Sequence, residues 1–132
     1  MIHKKLKIGR WVVHFLFAPD GYNTEEGLTY LYNADASDYI LVKACHILED
    51  NEDNTGFTFT NQDMREAVVV IGPTTSGEEF INTLSHEIHH VAVAIADSLG
   101  VALDSESPAY IMGDSMRDIA EVVCSLGCSH CN

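Results

Sequence analysis

The sequence predicts a single α+β domain, and three observations carry that prediction. Short runs rich in Val, Phe, Thr and Ile are bounded by Gly and Pro, as strands are. Longer segments follow in which apolar residues recur at helix spacing. The length of 132 residues suits one domain with a modest core, and 46% apolar content argues against general disorder.

Residues 6–18 read as one strand, rich in Val, Phe and Trp and stopped by Pro19-Asp20-Gly21. An irregular region is expected from there to about residue 34. Residues 36–48 read as a helix, with Ile40, Leu41, Ala44, Ile47 and Leu48 at helix spacing, ending in the polar run 49–54. Residues 55–60 and 65–71 read as two short strands. The second holds Ala67-Val68-Val69-Val70-Ile71 and is expected to be central, because an unbroken apolar run belongs between two covered faces. Thr75 or Ser76 is placed to cap a helix over about 77–99, with Glu78 and Glu79 in its first turn. Its apolar stripe is Ile81, Leu84, Ile88, Ala92, Ile95 and Leu99, and Gly100 ends it. A last helix is expected over about 107–126, capped by Asp104 or Ser105, opened by Pro108 and ended by Gly127. Residues 1–127 thus form the domain, and 128–132 a Cys/His-containing tail.

The formal net charge is −13, and four of the seven basic residues, Lys4, Lys5, Lys7 and Arg10, lie in the first ten positions. Such a surface repels phosphate backbones, so nucleic-acid binding is not expected. A cationic partner, substrate or metal is favoured, with simple solubility as the alternative. No stretch reaches the length of a membrane helix, and the apolar run 11–18 is short and lacks a cleavage site. A cytoplasmic location without a membrane partner is therefore expected, with cysteines reduced or metal-bound.

The chemistry concentrates in His86-Glu87-Ile88-His89-His90. His86 and His90 are four apart and project from one helix face, almost opposite the apolar stripe. Two neutral imidazoles in that position are half of a tetrahedral Zn²⁺ site, and Glu87 is placed to act as general base on an attacking water. Two solvated histidines are the plain alternative.

With this motif the chain resembles the zincin metallopeptidases, in particular small gluzincins. Glu106, in Glu106-Ser107-Pro108-Ala109-Tyr110, resembles the Glu-x-x-Ala-Tyr stretch of small zincin-like proteins of phages and mobile elements. The resemblance covers about residues 67–123. It implies a minimal zincin-like domain: a short sheet packed on an N-terminal helix and on the His-Glu-x-x-His helix, then a C-terminal ligand-bearing helix. It further implies Glu106 as third ligand and a zinc-dependent peptidase acting on a peptide or protein. A non-catalytic zinc-stabilised module with a protein partner is the alternative. The metzincin pattern fits less well, since Val93 and Ala96 stand where it needs Gly and a ligand.

Several residues keep two readings. Tyr110 either stabilises the oxyanion of the reaction or packs in the core. His89 either faces substrate or is solvated. Asp97 starts about 10 Å along the helix from His90, too far to ligate with it, and is expected to hydrogen-bond a ligand imidazole instead. Ala109 and Gly113 are small enough to let the last helix approach the metal helix. Cys124, Cys128, His130 and Cys131 form either a second metal site or an exposed thiol tail, with Cys124 read otherwise as a buried small hydrophobe; Cys45 reads as a core residue.

Overall fold

The structure is a computed structural model and describes residues 1–129, with side chains to residue 126. It is an α+β fold around a mixed four-stranded sheet. The strands are β1 (Ile2–Ile8), β2 (Trp11–Phe17), β3 (Gly56–Asn61) and β4 (Glu66–Ile71), in the order β1-β2-β4-β3. β2 and β4 run parallel, and the other two pairs are antiparallel. β4 is interior, as its apolar run requires.

Period-two alternation sends side chains to two cores. Val13, Phe15, Phe17, Ala67, Val69 and Ile71 face one layer of helices, while Leu16, Val68 and Val70 face another. The second layer is α1 (Thr24–Asn33) and α2 (Asp38–Asp50), contributing Leu31, Ala44 and Leu48. The first is α3 (Gly77–Ser98), α4 (Ser107–Asp118) and α5 (Ala120–Ser129). α3 buries Leu84, Ile88, Ala92 and Ile95, but Ile81 and Leu99 at the ends of the stripe are exposed.

Five expectations are corrected. The single strand at 6–18 is two strands joined through Gly9-Arg10, with Gly9 at φ +59. The first of them puts Lys4 among Ile2, Leu6 and Ile8 on one face, so no apolar run marks it; lysines are typical of a sheet edge. The irregular region contains α1, capped by Asn23, whose side chain accepts from the Glu26 N–H at 3.0 Å. The last helix is two helices, broken where Ile119 is fully buried. The start of α4 has no side-chain cap: its N-cap position is Glu106, not Asp104 or Ser105. α5 also runs past Gly127 to Ser129.

Candidate metal centre

The centre lies where α3 packs along edge strand β3. Ser76 opens α3 by accepting from the Glu79 N–H at 3.1 Å, and Glu78 and Glu79 complement the helix dipole in the first turn. Three turns on, helix geometry brings His86 and His90 to one face, both exposed, and turns Glu87 inward, where it is 4% exposed. His86, Glu87 and His90 each offer one ligand atom, all within 4.8 Å of one another.

The distances suit zinc. Two nitrogen ligands about 2.05 Å from one ion at the tetrahedral angle stand about 3.3 Å apart. The Nε2 atoms of His86 and His90 are 3.3 Å apart. A single N–H···N hydrogen bond also fits this spacing, so the neighbouring carboxylate has to decide between them. Glu87 accepts from the Thr58 hydroxyl at 3.0 Å through Oε1, and the same hydroxyl lies 3.2 Å from the Glu87 carbonyl oxygen. Its Oε2 is 4.0 Å from His86 Nε2, and among the described residues no Lys or Arg pairs with it. A buried carboxylate without a cation is costly. A divalent ion held between the imidazoles supplies that counter-charge, so the donor set fits Zn²⁺. The chain therefore carries a His-Glu-x-x-His cluster able to coordinate a metal ion, consistent with a zincin-like fold. No protein-family model matches the chain, and neither a curated protein nor a solved structure is significantly similar to it.

The cluster opens into a groove of about 590 Å³ between β3 and α3. Gly56, Thr58, Thr60 and Gln62 line one wall; His86, Glu87, His90, Val93, Ala94 and Asp97 line the other. Leu103, in the turn after α3, also reaches it. A smaller cavity of about 240 Å³ against Phe17, Ile71 and Phe80 contains none of these histidines.

Other expected residues lie elsewhere. Glu106 is exposed at the head of α4 and is not among the clustered groups. Tyr110 is 68% exposed, so the core-packing reading is excluded. His89 is exposed and does not line the groove. Asp97 accepts from Gln62 Nε2 at 3.0 Å rather than from an imidazole. Gly113 would meet nothing within 4 Å on gaining a Cβ, so it does not serve close helix packing. Cys45 is half-buried beside Glu49, whose hydrogen bond pushes its thiol pKa up, and Cys124 is exposed; neither is core. The side chain of Cys128, and His130 and Cys131, lie outside the described residues.

Thr58, Gln62 and Tyr22 were not singled out in the sequence. The alternation Phe57-Thr58-Phe59-Thr60 marks the first: its phenylalanines pack toward α1 and α2, which leaves the threonines for α3. Tyr22 packs over Gly72 and donates to the Thr55 carbonyl at 3.1 Å, steadying the entry to β3. Burial pushes its phenol pKa up, against the pull of the Thr55 side-chain hydrogen bond.

Proposed function

We propose that this protein is a zinc-dependent peptidase of the gluzincin kind, acting in the cytoplasm on a peptide or protein. The observation that carries the proposal is the buried Glu87, clamped by Thr58 beside two imidazoles whose Nε2 atoms stand 3.3 Å apart. A purely structural zinc site has no use for a buried base.

His86 and His90 would hold Zn²⁺ through Nε2. Glu106 is proposed as the third protein ligand; support comes from Leu103, three residues earlier, which already lines the groove. When bound, the ion supplies a Lewis acid that polarises a carbonyl and eases deprotonation of water. Glu87 takes the proton of the attacking water and passes it to the leaving amine. Tyr110, exposed one turn beyond Glu106, is proposed to donate its hydroxyl to the developing oxyanion. An extended substrate is proposed to lie along β3, whose outer edge no other strand covers among the described residues.

Metal analysis and hydrolysis of a quenched-fluorescent peptide library test this together. The wild-type protein is expected to carry one zinc and to cleave. Glu87→Gln should keep zinc and lose hydrolysis, while His86→Ala with His90→Ala should lose both. Undiminished zinc in the double variant would refute the site. A zinc-stabilised interaction module is the second reading, favoured by the position of Glu106 outside the cluster. It requires a zinc-dependent Tm with no hydrolysis of any peptide.

A further inference from the structure

The groove continues well past the metal cluster, and its far end has its own chemistry. Thr58 lies against Glu87, while Gln62 lies against Ala94 and Asp97. Thr58 to Gln62, the turn residue just past β3, spans up to about 13 Å, and Glu87 to Asp97 about 15 Å of helix axis. The two walls therefore run side by side. Between their ends Thr60 and His90 share the lining with the apolar Val93, Ala94 and Leu103.

Asp97 is held in place. Gln62 Nε2 donates to its Oδ2 at 3.0 Å and lies 3.5 Å from the Ala94 carbonyl oxygen, which brackets the amide between helix and carboxylate. Among the described residues no lysine or arginine lines the groove. Asp97 also sits in the last turn of α3, where the helix dipole opposes negative charge and no basic residue compensates. A carboxylate in that position weakens the helix that carries it, yet it is oriented by a side chain from another element.

From these observations we infer that Asp97, oriented by Gln62, is the specificity residue of the groove and selects a substrate with a lysine or arginine near the scissile bond. The inference rests on the peptidase reading above and names its substrate class. An extended peptide advances about 3.4 Å per residue and returns to the same face every second residue. A basic residue two positions from the scissile bond thus starts about 7 Å along the groove. Its long side chain spans what remains of the roughly 10 Å between His90 and Asp97. Asp97 is solvent-exposed, so the pairing is of the surface kind, up to about fivefold in affinity, and weakens with salt.

The test uses zinc-loaded Glu87→Gln protein, which cannot turn over, and fluorescent peptides in which one lysine, or one glutamate, is moved along an otherwise alanine-serine sequence. Fluorescence anisotropy should show the lysine peptide bound about fivefold tighter than its glutamate twin at one register, less so at high salt. Adding Asp97→Asn should remove the preference while raising Tm by about 1–4 °C, because the helix end loses an unfavourable charge. A merely structural Asp97 would instead lower Tm when replaced. Equal binding of both peptides at every register overturns the inference and leaves the peptidase reading intact. A lysine preference without cleavage by wild-type protein overturns the peptidase reading and the substrate assignment with it, and leaves Asp97 selecting a basic peptide ligand. No binding of either peptide overturns the inference.

Discussion

Thr58 and Glu87 are 29 positions apart in sequence, and the proposed chemistry depends on the 3.0 Å hydrogen bond from the Thr58 hydroxyl to the Glu87 carboxylate. Thr58→Val keeps the shape of the side chain and removes the hydroxyl. The carboxylate then loses its donor while both imidazoles stay in place. Zinc content should be unchanged and hydrolysis should fall about tenfold, the lower end of what loss of a supporting hydrogen bond costs at a metal site. Loss of zinc together with rate would show that Thr58 supports the fold of the site rather than the base. This residue pair also shows what was legible. His86, Glu87 and His90 were readable because a helix of fixed pitch converts a four-residue spacing directly into proximity. Thr58 and Gln62 were not, because their closeness to α3 depends on which strand lies at the sheet edge. Glu106 follows the motif at a plausible interval and stands exposed at the head of α4, outside the clustered groups; its ligand role stays a proposal.

Elements were legible where local rules act alone. α3 was readable from its cap, its stripe and Gly100, which takes φ +69 just past the helix end. The interior strand β4 was readable from its apolar run. α1 was hidden because its apolar face is thin, with Gly27 and Leu31 as its buried residues. The break between α4 and α5 was hidden because burying Ile119 is a tertiary demand. Two glycine substitutions test the element packing with opposite signs. A Cβ at Gly56 would stand 2.7 Å from the Val70 carbonyl oxygen and 3.3 Å from Glu87 Cγ. Gly56→Ala should therefore push β3 off its neighbour and lower stability by about 1–3 kcal/mol. Gly113 lies in α4 with open space around it, so Gly113→Ala should raise stability by about 0.5–1 kcal/mol through helix propensity. Urea titration of both variants checks the pair; equal effects of one sign would contradict the packing described.

On the scale of the whole molecule the charge is −13, and the basic residues gather on and beside β1, at one edge of the sheet. On that hairpin His3 Nε2 and His14 Nδ1 are 3.0 Å apart, the rings are stacked, and Tyr30 of α1 lies against both, at ring-centroid distances of 4.7 and 5.4 Å. The trio ties the β1-β2 hairpin to the α1 layer. Burial lowers the pKa of His3, with Glu26 pulling it up and Lys5 pushing it down. Burial also lowers that of His14, reinforced by His3 and Lys5 and opposed by Glu66. The folded state therefore holds both rings neutral to a lower pH than the unfolded chain does. Their stabilising contribution is complete above the ordinary histidine value of about 6.5. As pH falls through that value the unfolded chain takes up protons first, and stability drops until the folded values are also passed. Two charged rings 3.0 Å apart would also repel. Metal-free protein should unfold at lower urea concentration at pH 5.5 than at pH 7.5, and removing zinc beforehand keeps metal release out of the comparison. His3→Gln with His14→Gln should flatten this difference relative to wild type. If the double variant keeps the full drop, the acid sensitivity belongs to other groups and the histidine pair is not the tie between hairpin and helix layer.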